Sequence, residues 1–412
     1  MSDVGTKGRL KYLRYSIALA FLSLFISWKI TDIFFALGFT GIIFTLFSNN
    51  AAVVQRSLRV FRKTDVLLLV WGGASILGYF FGAPQVGPEQ LEEMAGLRWI
   101  AAYFIAIYWG SFLAQEESRP QTLWLVLLSV MVLATLPYQE GLAMLKVRYE
   151  GVFGNVNVAA CVLLLPWAFL LAWDFCDAWE RREIDAALIL TLVVLTTLLF
   201  FTQTRGVWLA MIGTLLLMFI IRPSKRYIGV LGVIVVTLAG FYFLNIFGFR
   251  DRIIYSFNLS PDSSQGIRLE LWKAYWKMFL DYPLLGVGFY ETVRLLPSFY
   301  GNSAVYEKLF MGGAVFGHAH NQYLQILAGS GVIGFAAWSW FFISLLRESI
   351  VSFKSTVSPY IKRLCISMGA VLFAFLLCGI FESPMMLHPA RLGLFILVGC
   401  ALGVIREKTR LK

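Results

Sequence analysis

The feature that most constrains this chain is a series of long apolar runs that recurs along its whole length. Each run approaches the roughly 20 mostly apolar residues that a helix needs to cross the hydrocarbon core of a bilayer. Because a backbone in lipid must satisfy its own hydrogen bonds, the runs predict an all-α polytopic membrane protein. About twelve candidate spans are found, at residues 15–30, 33–48, 66–82, 95–114, 122–137, 156–173, 186–202, 206–221, 227–247, 321–346, 364–381 and 390–405.

The composition agrees with this class and excludes a soluble protein. Of the 412 residues, 59% are hydrophobic and only 14% are charged, whereas soluble domains carry about 45–50% apolar and about 25% charged residues. A bundle of spans can use the whole length in one body, so we expect a single integral membrane domain over residues 1–412. Membrane lipid is therefore an expected partner.

The basic residues indicate how the chain is oriented. A formal charge of +11 can suit a nucleic acid if the basic residues share one surface, but here they form small groups between the apolar runs. We therefore expect no nucleic-acid partner. With the N-terminus inside and twelve spans, 22 of the 35 basic residues fall on the cytoplasmic side. The positive-inside rule then predicts that both termini are cytoplasmic.

One connection is far longer than the others. Residues 248–319 join the ninth and tenth predicted spans on the extracytoplasmic side, and a link of this length usually carries structure or function. The segment GIRLELWKAYWKMFLDYP spaces Ile267, Leu271, Tyr275 and Met278 as on one face of a helix, and a proline ends the run. We expect a partly helical periplasmic loop whose amphipathic helix lies on the outer face of the membrane.

Two histidines stand at the start of the tenth span, in HAHNQYLQILAGSGVIG. His318 and His320 fall on the extracytoplasmic side, with Asn321 directly after them. Imidazole titrates near neutral pH, which suits a general base that takes a proton from an alcohol. Small residues from Ala328 to Gly334 would let this helix pack closely and hold its first turn still. His320 is the predicted base, although a histidine near a helix start is more often a structural residue.

Three arginines outside the cytoplasmic groups are candidates for binding an anion. Arg205 lies in a very short turn between two apolar runs, and Arg268 lies at the start of the loop helix. A guanidinium is a planar, permanently charged donor that suits a phosphate or diphosphate. Arg98 lies about one turn inside the fourth span, where an arginine is a functional candidate by default. Snorkelling to the interface explains Arg205 and Arg98 nearly as well, and a solvated face explains Arg268.

Together these motifs resemble those of the O-antigen ligase and polymerase superfamily of bacterial envelope glycosyltransferases. The resemblance rests on Arg205 in TRG, on Arg268 and the later PLLGVG, and on HAHNQYLQILAGSGVIG. Each motif alone is weak. Their order on a basic polytopic chain, with the long loop before the His-containing span, is the pattern of that superfamily.

The resemblance implies a GT-C-like, inverting, metal-independent glycosyltransferase with no cofactor. Its donor would be O-antigen linked to undecaprenyl diphosphate. In the ligase branch, its acceptor would be a hydroxyl of the lipid A core oligosaccharide. It also implies a bacterial inner-membrane protein whose active site faces the periplasm. Carried over by motif, His320 is the general base, Arg205 and Arg268 hold the diphosphate, and His318 matches a less constant position.

Other polar residues receive no role from the resemblance. They include Arg98, as well as Glu382, His388 and Arg391, which lie in a polar turn before the last span that could line the same cavity. Arg98, His318 and Asn321 are kept as candidate substrate-binding residues. A lipid diphosphate can leave without a general acid if cations stabilise its charge, and no Asp-x-Asp sequence for a metal occurs in the extracytoplasmic loops.

Two kinds of alternative stay open. An O-antigen polymerase or a protein O-oligosaccharyltransferase of the same superfamily would differ only in the acceptor. A twelve-span transporter or flippase fits the number of spans equally well. Transporters usually place ionisable or helix-breaking residues near the bilayer midplane, whereas the candidate residues here crowd the outer face, which favours the enzyme.

Overall fold

The computed structural model of the chain describes residues 60–82, 99–114, 155–180, 186–221, 239–245, 248–255, 264–300 and 318–410, together with residues 232 and 236. No strand occurs among these residues. After a 3-10 turn at Lys63–Asp65, the helices are α1 (Val66–Phe81), α2 (Trp99–Leu113), α3 (Val156–Glu180), α4 (Ala186–Phe201), α5 (Arg205–Ile221), α6 (Phe249–Tyr255), α7 (Ser264–Asp281), α8 (Glu291–Tyr300), α9 (Gln322–Ser355), α10 (Pro359–Cys378) and α11 (His388–Arg410).

The described helices confirm a polytopic membrane protein. Within the described ranges, five helices are long and apolar enough to cross a membrane: α1 with its preceding turn, α3, α9, α10 and α11. The shorter apolar helices α2, α4 and α5 coincide with three more predicted spans. The predicted spans at 15–30, 33–48 and 122–137 lie outside the described residues, and 227–247 is described only in part. The number twelve and the GT-C-like class stay predictions.

Small residues set the closest helix packing, between α2 and α11. A Cβ on Gly110 of α2 would collide with the carbonyl group of Cys400, and a Cβ on Gly403 of α11 would collide with that of Ile107. Lipid gives helices no hydrophobic reason to associate, so such close backbone contact supplies van der Waals attraction instead. Nearly all of α11 is buried as a result, which places it at the centre of the bundle.

The long connection contains the predicted amphipathic helix. Leu271, Tyr275 and Met278 of α7 are fully buried, so the helix and its buried face are confirmed. They pack with the start of α9 and with α8, whose Leu296 is also fully buried. Helices α7 and α8 of this connection therefore pack onto one end of the bundle, where α9 begins and α10 ends. We call this the site end.

Helix α9 is broken at Gly331, which the sequence analysis did not predict. Gly331 has a φ of 60° and a ψ of −169°, so the chain kinks there. A straight helix of 34 residues would be about 51 Å long, whereas the 20 residues of α10 span about 30 Å. The amide of Gln322 nevertheless donates to the carbonyl of Gly379 at 2.8 Å, just beyond α10. The bend helps the two unequal helices to meet at the site end.

Residues 283–288, which we call the wedge, fill the break in α9. A break in a membrane helix leaves backbone groups unpaired, and these must find partners inside the protein. The wedge supplies them. Four hydrogen bonds join the two segments: Val287 N to Ala328 O at 3.0 Å, Gly288 N to Gly329 O at 2.9 Å, Val332 N to Pro283 O at 2.8 Å and Ile333 N to Leu284 O at 3.3 Å.

Glycines let the wedge fit between α9 and α1. A Cβ on Gly78 or Gly82 of α1 would collide with the carbonyl oxygen of Leu285 or Gly286, and a Cβ on Gly331 would collide with that of Leu284. The motif PLLGVG and the small residues of α9 are thus two halves of one backbone contact. This contact fixes the C-terminal end of α7.

A buried ionic cluster joins four elements at the other end of the bundle. Arg406 of α11 is only 3% exposed and bonds both carboxylate oxygens of Glu348 of α9, at 2.8 and 2.9 Å. It also bonds both oxygens of Asp65, at 2.7 and 3.0 Å, and the carbonyl of Val60 at 3.0 Å. The hydroxyl of Tyr103 in α2 donates to Asp65 at 2.9 Å. The guanidinium is satisfied by partners from several parts of the chain.

Replacing Arg406 by Met should strongly destabilise the fold. The change leaves buried Asp65 without a cation and Glu348 with only the half-exposed Arg62, and breaking a buried ion pair from one side costs about 3–5 kcal/mol. Thermal unfolding in detergent, followed by tryptophan fluorescence, measures the loss. Lys354→Met, an exposed change at the same end of the bundle, is the control. Equal unfolding midpoints for the two variants would contradict the prediction.

Gly331→Ala should also destabilise the protein, by at least about 2 kcal/mol, because alanine is strained at positive φ and collides with the wedge. The matched control is Gly73→Ala in α1, where a Cβ meets nothing within 4 Å. That change should be neutral or stabilising by about 0.5–1 kcal/mol, because alanine is the better helix former. If Gly331→Ala unfolds at the wild-type temperature, the close contact with the wedge is wrong.

Candidate active site

The residues before α9 are tightly held at the site end. Asn321 caps the helix, because its side-chain oxygen accepts from the amide of Leu324 at 3.0 Å. Its side-chain amide donates to the carbonyl of Ile380 at 3.2 Å, and its backbone amide donates to the hydroxyl of Ser383 at 3.1 Å. These contacts give Asn321 a structural role in joining α9 to the turn after α10. Its role in binding substrate stays a prediction.

His320 adopts an uncommon backbone conformation in this setting. Its φ is 48°, in the left-handed region that side chains other than glycine rarely occupy. The neighbouring Ala319 is fixed on both sides: its amide donates to Gln325 Oε1 at 2.9 Å, and its carbonyl accepts from the indole of Trp272 at 3.0 Å. Such strain persists only where the surroundings hold it, and it is often found at functional sites.

The side chain of His320 is paired with a buried carboxylate. Its Nδ1 lies 2.7 Å from Oε1 of Glu382, which is completely buried in the turn between α10 and α11. A carboxylate oxygen can only accept, so Nδ1 carries the hydrogen in this contact and the lone pair of a neutral ring lies on Nε2. This tautomer is what a general base needs.

Arg268 completes the cluster from α7. One of its terminal nitrogens donates to the same Oε1 of Glu382 at 3.1 Å, and the other donates to the carbonyl of Phe381 at 3.0 Å. A single oxygen of Glu382 therefore joins the loop helix to the segment before α9. The predicted base and one of the two predicted diphosphate ligands thus lie against the same carboxylate oxygen, whereas their roles in the reaction stay predictions.

The charges of the cluster keep Glu382 ionised. Burial by itself would raise the pKa of this carboxyl group, but His320, His318 and Arg268 offset it and the pKa is lowered from its ordinary value. A surface histidine beside an acid has a raised pKa, whereas the pKa of His318 is lowered. Its burial, together with the charges of His320 and Arg268, lowers its pKa to about 4, so it is neutral at physiological pH.

His318 supports the backbone of His320 as well as its ring. Its Nδ1 accepts from the amide of His320 at 3.2 Å, and the two ring centres are 4.2 Å apart. His318 is thus in contact with the predicted base and helps to hold the left-handed turn.

His318, His320 and Glu382 also form a group that can be considered as a metal site, because their ligand atoms lie within 4.8 Å of one another. Two features disfavour a cation there. Zinc ligands at about 2.0–2.2 Å from the metal lie about 3.3 Å apart, whereas His320 Nδ1 and Glu382 Oε1 are 2.7 Å apart and share a hydrogen. In addition, the guanidinium of Arg268 donates a hydrogen bond to the same Oε1 of Glu382.

Arg205 begins α5 beside this cluster. The preceding turn has Gln203 at a φ of 54°, which reverses the chain sharply after α4. Gly206 packs on Phe381 so closely that a Cβ on the glycine would lie 2.8 Å from the Cβ of Phe381. Phe381 is the residue whose carbonyl accepts from Arg268. Arg205 directly precedes Gly206, and Phe381 directly precedes Glu382. The backbone of Arg205 is therefore adjacent to the contact between Gly206 and Phe381.

The comparison with known families agrees with this arrangement. Residues 190–339 match the family model described as O-antigen ligase. The matched segment covers just over a third of the chain. This finding confirms the resemblance stated from the sequence. No curated protein gives a significant match.

The matched segment contains Arg205, Arg268 and His320, whereas Glu382 lies beyond its end. The polar turn that begins at Glu382 is visible in the sequence, but no motif there gives it a role. The available signal was an acidic residue in the short turn between two spans, on the same side as His320. Arg98 lies outside the described residues, directly before α2 begins at Trp99, so its role stays a prediction.

The depressed pKa of His318 predicts a loss of stability at acidic pH. As pH falls through about 6.5, the unfolded chain protonates this histidine, whereas the folded protein keeps it neutral down to about 4. The unfolded state therefore binds more protons in this window, and stability falls with pH. The effect is at most about 3 kcal/mol.

Thermal unfolding of the wild type and of His318→Asn, at pH 7 and at pH 4.5, tests this. Asparagine can still accept from the amide of His320 but does not titrate. The wild type should lose more stability between the two pH values than the variant. Protonation of Glu382 also reduces stability as pH falls, but it does so at a lower pH, because the pKa of this carboxyl group is lowered from its ordinary value of 4.5. Identical losses in both proteins would contradict the prediction.

Proposed function

We propose that the chain is an O-antigen ligase. It transfers O-antigen polysaccharide from undecaprenyl diphosphate to a hydroxyl of the lipid A core oligosaccharide. The observation that carries this proposal is the contact of His320 and Arg268 with one oxygen of Glu382. It is supported by the match of residues 190–339 to the O-antigen ligase family model.

The geometry suits an inverting transfer with His320 as the base. The acceptor hydroxyl gives its proton to Nε2 of His320 while its oxygen forms a bond to the anomeric carbon of the donor, from the face opposite the diphosphate. The bond between the anomeric carbon and the diphosphate oxygen breaks, and its electron pair leaves with the diphosphate. Glu382 stabilises the imidazolium that forms, as a carboxylate does for histidine in other acid–base pairs.

Arg268 and Arg205 favour departure of the leaving group. Preorganised cations that face a developing negative charge lower the barrier without reorganising during the reaction. Two of the five N–H groups of the Arg268 guanidinium are engaged by Glu382 and Phe381. These contacts fix the plane of the guanidinium, so its remaining N–H groups have a defined direction for the diphosphate. No metal ion is required by this scheme.

The placement of the cluster supports an enzyme that acts at one membrane face. His320, Glu382 and Arg268 lie at the site end, whereas Arg406 and Arg62 lie beside Glu348, far along α9. In the proposed orientation the site end faces the periplasm and the Arg-rich end faces the cytoplasm, as the positive-inside rule requires. The polyprenyl tail of the donor would remain in the bilayer.

A polymerase of the same superfamily is the second candidate, because the family match covers the shared domain and not the acceptor. The two are separated by gene deletion followed by electrophoresis of the lipopolysaccharide. Loss of the whole polymer ladder with an intact core supports the ligase, whereas a single-repeat band indicates a polymerase. A transporter is less well supported, because the one helix break described, at Gly331, is filled by the wedge and holds no ionisable residue.

The proposed reaction predicts distinct effects for the residues of the cluster. Purified protein is mixed with lipid-linked glycan and lipid A core, and transfer is measured without ATP. His320→Ala should lower the rate about 10²–10⁴-fold, because a positioned general base contributes that much. Glu382→Gln should lower kcat about tenfold or more, and Arg205→Ala should mainly raise the donor KM.

The controls separate chemistry from folding. Lys354→Met should keep the wild-type rate, and addition of EDTA should leave transfer unchanged. Undiminished transfer by His320→Ala would exclude the proposed base. Loss of activity in EDTA that zinc or magnesium restores would exclude the metal-free scheme.

A further inference from the structure

A second buried arginine lies behind the candidate site. Arg391, in the first turn of α11, is only 2% exposed. Its guanidinium is 5.6 Å from the ring centre of Trp99 and 5.4 Å from that of Tyr290. Cation–π contacts of this kind offset part of the cost of removing the cation from water. The side chain therefore has one defined position, between Trp99 at the start of α2 and Tyr290, which lies two residues beyond the wedge.

From this position Arg391 reaches the turn that carries Glu382. Its Nη1 donates to the carbonyl oxygen of Met385. The amide of Met385 in turn donates to the side-chain oxygen of Gln322 at 3.2 Å. Met385 is thus bonded from two sides, by the first residue of α9 and by the first turn of α11.

The other end of the same turn belongs to the catalytic cluster. Glu382 bonds His320, and the hydroxyl of Ser383 accepts from the amide of Asn321. The intervening chain is compact, because the amide of Met386 donates to the carbonyl of Ser383 at 2.8 Å. We call residues 382–387 the Glu382 turn. A displacement at Met385 is passed directly to Glu382, because only two residues lie between them.

We infer that Arg391 is a positioning residue for the reaction. Its bond to Met385 holds the Glu382 turn in place, so that the carboxylate stays within hydrogen-bonding distance of His320 and Arg268. This inference rests on the proposed function. The guanidinium does not need to touch either substrate. A shift of about 1 Å in a catalytic group can cost about 10²-fold in rate, and the bond from Arg391 to Met385 opposes such a shift at the middle of the turn.

The chain offers a matched control for the cost of removing a buried arginine. Arg363, in the second turn of α10, is 6% exposed, and its guanidinium is 6.0 Å from the ring centre of Trp173. It shares its chemistry and burial with Arg391 but lies at the end of α10 remote from the Glu382 turn. A general loss of stability should affect both sites, whereas a loss of positioning should affect only one.

The test compares Arg391→Met, Arg391→Lys and Arg363→Met in the full chain. Arg391→Met should lower kcat for glycan transfer about tenfold to a hundredfold, with the donor KM changed less than about twofold because Arg205 and Arg268 remain. Arg363→Met should keep kcat within about twofold of the wild type at a similar drop in thermal stability. Arg391→Lys keeps the charge and one donor, so its kcat should be intermediate.

Amide hydrogen exchange of residues 379–388 gives a readout that does not depend on activity. Exchange should become faster in Arg391→Met and, to a lesser degree, in Arg391→Lys, and should be unchanged in Arg363→Met. If the wild type transfers no glycan, the proposed function fails, and the exchange rates alone decide whether Arg391 holds the turn. If Arg391→Met does not fold, Arg391→Lys decides.

Two outcomes would overturn the inference. The first is a kcat for the Arg391 variants that falls only as far as that of Arg363→Met. The second is wild-type exchange of the Glu382 turn in Arg391→Lys together with wild-type kcat.

Discussion

The site end of this protein is organised around one buried carboxylate. Glu382 is completely buried, and a charge in that position is tolerated only if nearby donors and cations compensate for the lost water. His320 and Arg268 provide that compensation through the same oxygen atom. Three separate parts of the chain must therefore converge, namely the loop helix α7, the segment before α9 and the turn after α10. The need to compensate the buried charge of Glu382 therefore determines both the contacts of the site and the packing of this end of the bundle.

The second constraint acts on the backbone. The wedge pairs with the broken helix α9 and passes glycines of α1, so it fixes the C-terminal end of α7, while Arg268 fixes the other end. The loop helix is held at both ends by contacts of different kinds. A cation that has to face a diphosphate needs such a support, because binding sites built on rigid elements keep their geometry better than sites on free loops.

The sequence predicts the parts of this structure that depend on local patterns. Apolar runs locate eight of the described helices, and the spacing of Leu271, Tyr275 and Met278 identifies the buried face of α7. His320 and Arg268 could be nominated from their chemistry and from the family motif. Each of these signals is contained within about 20 residues of chain or in a known pattern.

The parts that were not predicted depend on contacts distant in sequence. Glu382 lies 62 residues from His320 and 114 from Arg268, so no periodicity relates them. The break at Gly331 was also missed, because a glycine among small residues predicts close packing equally well. Only the wedge, which arrives from more than 40 residues earlier, shows that the backbone there leaves the helix. Local patterns define elements, whereas tertiary hydrogen bonds define this site.

The left-handed backbone at His320 has a consequence for how this position can vary. A side chain with a β carbon is strained there by about 1–2 kcal/mol, whereas glycine would relieve the strain and asparagine would reduce it. Any replacement would also remove the bond from Nδ1 to the buried carboxylate of Glu382, which outweighs the relief of strain. The φ of 48° is thus an unfavourable backbone conformation that the His320–Glu382 pair offsets, so a substitution at Glu382 would leave His320 strained without its compensating contact.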